Sequence, residues 1–175
     1  MREHRSRLSY GTFDSPVGSL LVAGDEERLH LISFPSERRM REPQPGWCRE
    51  ESLFAEAFRQ LEAYFAGDLT RFDLPLHLAG SAFQNKVWTA LCDIPFGETI
   101  SYGELAARIG KPTASRAVGG ANGANPLPIV VPCHRVIGSD RSLTGFGGGV
   151  ETKRFLLAHE QRVARKEGAQ SQLPF

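Results

Sequence analysis

The pattern of hydrophobic and polar positions predicts strands in the first part of the chain and helices in the second. Apolar positions recur in three short runs, over residues 8–13, 19–23 and 29–34, and clusters of turn-forming residues separate them. Three such runs joined by short turns predict an antiparallel meander. Residues 35–51 are polar and rich in proline, so we expect an exposed loop there.

A helix is predicted to follow these strands. Large apolar residues recur at helical spacing between Leu53 and Phe65, with Ser52 in position to cap the helix and Gly67 to end it. An apolar stripe of this kind packs a helix against a sheet. We therefore expect residues 1–78 to form an N-terminal α/β domain.

The second part of the chain predicts a series of short helices. Ser81–Gln84 and Ser101–Glu104 match the capping box that opens a helix, and a further helix is predicted over residues 113–123. Two short helices joined by a tight glycine-containing turn are typical of a helix-turn-helix, although α-hairpins that never touch DNA share this pattern. The prolines within residues 125–132 disfavour helix and predict an extended segment.

The last predicted helix runs from Glu151 to Arg162, with Phe155 and Leu156 facing inward. Residues 79–163 would then form a helical C-terminal domain, and residues 164–175 a polar, disordered tail. A strand-rich first domain followed by a helical second domain gives an α+β protein.

Composition narrows the class of protein. With 41% apolar and 23% charged residues, the chain is typical of a globular protein, and it contains no apolar run long enough to span a membrane. Its first residues lack the apolar segment of a secretory signal. Three widely spaced cysteines and no Cys-x-x-Cys pair favour a reducing compartment and disfavour a zinc site, so we expect a cytoplasmic protein.

The net charge of +1 conceals an uneven distribution. Residues 1–100 contain 11 basic and 15 acidic residues, a balance of −4, whereas residues 101–175 contain 10 and 5, a balance of +5. A basic segment of this kind favours a polyanionic partner, although a solvated surface could carry the same charges.

Cys133 is the best candidate for a reactive atom. It lies between Pro132 and two residues that can carry positive charge, His134 and Arg135, which should lower the pKa of the thiol. In an extended segment His134 would point away from the sulfur, so a bridging water would have to carry the proton between them. A histidine with a purely structural role is the alternative.

These residues carry a resemblance to a known family. Residues 129–136 (IVVPCHRV) resemble the active-site signature of the O6-alkylguanine-DNA alkyltransferases. Ile100–Tyr102, Ser115–Gly119, Gly123–Pro126 and Leu157–Glu160 fall at spacings similar to those of the family. The resemblance is strong over residues 81–162 and weaker before them.

The resemblance implies a fold and a reaction. The N-terminal domain would be ribonuclease H-like, and the C-terminal domain a winged-helix or helix-turn-helix DNA-binding and alkyl-acceptor domain. Cys133 would attack the alkyl carbon on O6 of a flipped-out guanine, with O4-alkylthymine as a further candidate substrate. His134 would act as base through a water, Glu160 would orient it, and Tyr102 would help to protonate the departing guanine. The thioether product is stable, so each molecule would act once.

It also implies the partner. The protein, a monomer when free, would bind double-stranded DNA in the minor groove without a metal or organic cofactor, and Arg116 would replace the extruded base. The other residues implied to contact DNA or brace the DNA-binding turn are Ser101, Ser115, Ala117, Gly119, Asn125 and Arg135. Those implied to line the pocket for the base are Val136, Phe146 and Gly147.

Other interpretations stay open. Phe146 stands where the family often has tyrosine, and Asp140-Arg141 where a smaller neutral turn is common. A protein that marks lesions without transferring the group, and a cysteine hydrolase unrelated to DNA, are the competing functions. The final residues Gln170–Phe175 resemble the short peptides by which bacterial repair proteins dock on the sliding clamp, although a solvated tail would look the same.

Overall fold

The structure is a computed structural model that describes residues 7–35 and 41–170 of the 175-residue chain. Its contacts divide the chain into two compact units, with the boundary between Ala79 and Gly80. In the described part of the chain, no helix is both long enough and apolar enough to cross a membrane.

In its described residues, the N-terminal unit is a four-stranded sheet with one α-helix. The sheet has the order β3-β2-β1-β4, in which β1, β2 and β3 pair antiparallel, as predicted, and a short fourth strand pairs parallel with β1. A 3₁₀ turn at Glu51–Phe54 leads from the fourth strand into the helix. The elements are β1 (Ser9–Ser15), β2 (Gly18–Gly24), β3 (Leu29–Ser33), β4 (Cys48–Arg49) and α1 (Ala55–Ala66).

Of the two predicted ends of α1, the C-terminal one is confirmed and the N-terminal one is wrong. Gly67 ends the helix as predicted, because its φ of 85° is a left-handed conformation that glycine adopts without a Cβ penalty. The predicted cap at Ser52 is wrong. The 3₁₀ turn precedes α1, and Phe54 occupies the N-cap position without a side-chain hydrogen bond.

The described residues of the C-terminal unit form four α-helices and a two-stranded parallel sheet, in which Ile100 pairs with Val136. Both predicted capping boxes form, since Ser81 and Ser101 each accept the backbone N–H three residues ahead. The elements are α2 (Ala82–Leu91), β5 (Ile100–Ser101), α3 (Tyr102–Arg108), α4 (Ser115–Gly123), β6 (Val136–Ile137) and α5 (Val150–Gln170).

The last helix is longer than the sequence pattern predicts. It continues to Gln170, so the prediction of disorder from residue 164 is wrong for residues 164–170. The sequence after Arg162 is rich in strong helix formers, and Val163 is buried, which stabilises the added turns. Phe155 was predicted to face inward but is among the exposed large apolar residues. The predicted clamp-docking peptide lies almost wholly outside the described residues.

Candidate functional site

The chain between α4 and β6 folds as a compact turn and not as the extended segment predicted. The Asn125 carboxamide holds it from both ends, because Oδ1 accepts the N–H of Leu127 at 2.9 Å and Nδ2 donates to the carbonyl of Val131 at 2.8 Å. Ile129 lies inside this turn with a φ of 74°, a conformation that costs a β-branched residue free energy. Tertiary hydrogen bonds and burial of Ile129 therefore override the local preference for extended backbone.

A 3₁₀ turn at Cys133–Arg135 carries the candidate nucleophile. Pro132 has φ −80° and ψ 65°, an inverse γ-turn, and the Cys133 N–H donates to the carbonyl of Val131 at 2.8 Å. Consecutive residues in this turn do not alternate sides as they would in a strand. Cys133 (4% exposed) and His134 (0% exposed) are both buried, and the extended backbone on which the expected divergence of their side chains rested is absent.

His134 is held by a carboxylate from α5. Its Nε2 lies 2.6 Å from Oε1 of Glu160, and both side chains are fully buried. Burial raises the pKa of the Glu160 carboxyl, whereas the hydrogen bonds from His134 and Arg135 lower it. The hydrogen bonds have the larger combined effect, so this pKa lies well below its usual range. An ionised Glu160 can only accept, so Nε2 carries the proton of the neutral imidazole.

The other imidazole nitrogen is left as an acceptor. Burial lowers the pKa of His134, with Glu160 opposing, so the ring is neutral at physiological pH. Nδ1 is buried and has no hydrogen-bond partner among the described residues. A buried, oriented and unprotonated nitrogen next to a thiol-bearing residue is the arrangement that a general base requires.

Arg135 takes part in this network and does not face solvent. Its Nε and one terminal nitrogen contact the two oxygens of Glu160 at 2.9 and 3.0 Å, and its other terminal nitrogen donates to the carbonyl of Ile94 at 2.7 Å. The assignment of Arg135 to the DNA surface is therefore wrong. Its partner Glu160 lies 25 residues further along the chain, and nothing near Arg135 in the sequence indicates the pairing.

The Cys133 thiol is not activated in the resting protein. Burial raises its pKa to about 11, and the opposing effects of the Asn125 amide and the Lys153 ammonium are smaller. The expectation that neighbouring cations lower this pKa is wrong, because His134 is neutral and Arg135 is paired with Glu160. The thiol is protonated at neutral pH, so a base must remove its proton when it reacts.

Tyr102, the first residue of α3, lies beside this thiol. Its hydroxyl donates to the carbonyl of Thr144 at 3.0 Å, and its ring edge passes 3.8 Å from the position that a Cβ on Gly119 would occupy. Burial and the Cys133 thiol raise the pKa of Tyr102, while contacts from Thr144 and Asn122 lower it. The hydroxyl therefore keeps its proton and can donate it.

Two residues of the site are absent from the sequence-based assignment. Lys153 is fully buried, with Nζ donating to the carbonyls of Val136 at 2.6 Å and Thr144 at 3.2 Å. Asn122 is 2% exposed and its Nδ2 donates to the carbonyl of Cys133 at 3.3 Å. Each of the two residues lies three or four positions from apolar residues of its own helix. A polar residue within an apolar stripe is therefore the sequence signal that could have identified Lys153 and Asn122.

The remaining residues expected to contact DNA differ in exposure and in their contacts. Ser115, Arg116 and Ala117 are exposed at the start of α4, and Gly119 is half-buried behind them. The Ser101 hydroxyl is occupied as the cap of α3. The residues expected to line the base pocket differ in exposure, since Val136 is buried, Phe146 is half-buried and Gly147 is exposed.

Within residues 7–35 and 41–170, no His, Cys, Asp or Glu cluster is suited to hold a metal.

Comparison with known proteins matches both units. Residues 8–78 match the family model described as 6-O-methylguanine DNA methyltransferase, ribonuclease-like domain, and residues 82–162 match its DNA binding domain. A methylated-DNA–protein-cysteine methyltransferase of Methanosarcina acetivorans is 52% identical over 87% of this chain and 98% of its own length.

Solved structures give the same result. The crystal structure of the Mycobacterium tuberculosis O6-methylguanine methyltransferase is similar with a TM-score of 0.83 and 50% identity, covering 89% of this chain and 93% of that one. A second structure of the M. tuberculosis protein, in complex with DNA, has a TM-score of 0.83 and 49% identity over 89% and 94% of the two chains. The predicted fold class is thereby confirmed.

Proposed function

Because the chain belongs to the 6-O-methylguanine DNA methyltransferase family, we propose that it repairs alkylated DNA by transferring the alkyl group from guanine O6 to Cys133. The observation that carries this proposal is that the buried Cys133 thiol is followed in the chain by a buried, neutral His134 whose imidazole is held by the carboxylate of Glu160. A thioether is a poor leaving group, so the alkylated protein would not regenerate and each molecule would act once.

The proton movements follow from the site. The Cys133 sulfur forms a bond to the alkyl carbon while the bond from that carbon to O6 breaks, and the electron pair passes to the purine. The thiol proton moves through a water to Nδ1 of His134, and Glu160 stabilises the imidazolium that results. The pKa of the thiol is about 11, so forming a free thiolate before the reaction would cost much free energy at neutral pH. Transfer of the proton to His134 within the site avoids this cost.

Tyr102 would supply a proton to the departing purine. Its hydroxyl is protonated at neutral pH, because burial raises its pKa and the neighbouring Cys133 acts in the same direction. General acid catalysis of this kind contributes about 10²- to 10⁴-fold to a rate.

The pair α3–α4 would deliver the base. A guanine inside the stack cannot present its O6 substituent to a buried sulfur, so the nucleotide has to be extruded, at a cost of a few kcal/mol. Arg116 is exposed in the first turn of α4, as are Ser115 and Ala117, which suits a side chain that enters the duplex from the minor groove and replaces the extruded base. Val136, Phe146 and Gly147 would then line the base pocket.

A titration tests this function. The protein is mixed with increasing amounts of a duplex carrying O6-methylguanine, and the methyl groups removed are counted per protein molecule. We expect a limit of one, and none for Cys133→Ser, which should still bind the duplex. Binding without methyl removal by the unmodified protein would support a lesion marker, and repeated turnover would contradict single use of the thiol. The same duplex with O4-methylthymine tests the second substrate.

We also infer that the last residues, Gln170–Phe175, dock on the sliding clamp. The support is their sequence alone, which combines glutamine, leucine and phenylalanine at the end of the chain. Deleting residues 171–175 leaves the described part of α5 intact. We expect the truncated protein to lose clamp binding and to keep alkyl transfer, whereas clamp binding that survives the deletion would contradict this inference.

A further inference from the structure

Asn122 lies at the meeting point of the nucleophile and the proton donor. It belongs to the last turn of α4 and is 2% exposed, and its Nδ2 donates to the carbonyl of Cys133 at 3.3 Å. Because that acceptor requires a nitrogen opposite it, the orientation of the carboxamide is fixed, with Nδ2 toward the site. Nδ2 has a second hydrogen, which the Cys133 carbonyl does not use.

The geometry of α4 brings Tyr102 to the same place. Gly119 and Asn122 are three residues apart and share one face of the helix. The Tyr102 ring edge lies 3.8 Å from a Cβ position on Gly119, and its hydroxyl lies 3.4 Å from one on Gly145. A Cβ position on Gly123, the next residue after Asn122, is 3.8 Å from the carbonyl oxygen of Gly145. The ring therefore runs along α4 toward the turn that carries Asn122.

We propose that Asn122 is a positioning residue for the proton donor: its Nδ2 group links the Cys133 peptide to the Tyr102 hydroxyl and stabilises the phenolate formed as the purine departs. This inference rests on the proposed function. The contact between Asn122 and Tyr102 lowers the pKa of the phenol, opposite to the effect of burial, which agrees in direction with this role.

The step balances in protons and electrons. The sulfur–carbon bond forms, the carbon–O6 bond breaks, and the electron pair passes to the purine ring system. A ring nitrogen of the purine takes the Tyr102 proton, and Asn122 donates a hydrogen bond to the phenolate oxygen. The imidazolium of His134, which holds the proton of the thiol, then returns one proton to the phenolate through solvent. The net change moves the thiol proton to guanine.

The test compares two leaving groups. One duplex carries O6-methylguanine, and a second carries O6-methyl-8-azaguanine, whose additional ring nitrogen stabilises the departing anion and reduces the need for a proton. Asn122→Leu should slow transfer from methylguanine about tenfold, the effect of one hydrogen bond to a charged group. It should leave transfer from the 8-aza base close to the wild-type rate. A role limited to packing would slow both reactions equally, and that result would overturn the proposal.

Two controls make the test specific. Asn85→Leu removes another amide of the same unit, and it should change neither rate. The Oδ1 atoms of Asn85 and Asn122 are both buried and have no hydrogen-bond partner among the described residues, so the two amides are matched in this respect. In a Tyr102→Phe background, Asn122→Leu should have no further effect on methylguanine, because the group through which it acts is gone. A further tenfold loss in that background would show that Asn122 acts independently of Tyr102 and would overturn the proposal.

Further measurements distinguish failure of this inference from a loss of folding and from failure of the proposed function. Circular dichroism checks that Asn122→Leu is folded, and Asn122→Ser, which is too short to reach Tyr102, should reproduce its selective loss if the leucine disturbs packing. Wild-type rates with Asn122→Ser on both bases would contradict the proposal. If the unmodified protein forms no S-methylcysteine at all, the proposed function fails, and that outcome is recognised before any variant is made.

Discussion

The rate of alkyl transfer should be almost independent of pH near neutrality. Burial raises the pKa of Cys133 to about 11, so at pH 8 only about one molecule in a thousand holds a free thiolate. If reaction depended on that fraction, the rate would rise tenfold for each pH unit. If neutral His134 takes the proton inside the site, the rate stays level, because both groups keep one protonation state across this range.

Replacing His134 should change a transfer rate that is level with pH into one that rises with pH. His134→Gln keeps a polar side chain but supplies no base, so we expect transfer at pH 8 to fall by about 10²- to 10³-fold. Its rate should then rise tenfold per pH unit as bulk hydroxide generates the thiolate. Below the ordinary histidine pKa the wild-type rate should fall only once His134 itself takes a proton, which burial shifts to lower pH.

The assay is single-turnover transfer from a methylated duplex between pH 6 and 9.5, stopped by acid and followed by mass. Circular dichroism at each pH shows that both proteins stay folded. A wild-type rate that rises tenfold per unit between pH 7 and 9 would refute the internal base. So would a His134→Gln profile that is level and equal to that of the unmodified protein.

Three further substitutions probe the same structure. Glu160→Gln leaves the Arg135 cation buried without its partner and should cost about 3–5 kcal/mol of unfolding free energy in urea, whereas a loss below about 1 kcal/mol would contradict the network. Because the folded pKa of Glu160 lies below its ordinary 4.5, its stabilisation is present above that pH and lost as pH falls through the folded pKa, a dependence that Glu160→Gln should lack. Lys153→Met removes the buried cation near Cys133 and should slow transfer about tenfold with the fold intact, and an unchanged rate would exclude an electrostatic role. Gly67→Ala forces a Cβ into a φ of 85° and should lower the melting temperature through a loss of about 1 kcal/mol, with transfer unaffected.

Local signals in the sequence predict local structure well in this chain. The capping boxes at Ser81 and Ser101 and the helix end at Gly67 form as predicted, because each depends on residues within one helical turn. Strand β4 was missed for the opposite reason. It is only two residues long and lies within residues 35–51, where the polar pattern predicts an exposed loop. Its partner β1 is distant in the sequence.

The chemistry of the site depends on distant contacts that the sequence does not reveal. The motif around Cys133 identifies the reactive residue, but the state of its thiol depends on burial and on where neighbouring charges are directed. Burial raises the pKa of the thiol, and Arg135 does not oppose this effect because it is paired with Glu160 on another element. The turn at Ile129 likewise needs the Asn125 side chain to hold it, and no propensity rule predicts that conformation.

The three cysteines allow a direct test of where the alkyl group goes. Cys48 and Cys92 are exposed, whereas Cys133 is buried. After reaction with a duplex carrying O6-methylguanine, peptide mapping should find a gain of about 14 Da, one CH₂, on Cys133 alone. Non-specific alkylation would favour the two exposed thiols. Methyl groups on Cys48 or Cys92 with Cys133 unmodified would contradict the assignment of Cys133 as the acceptor.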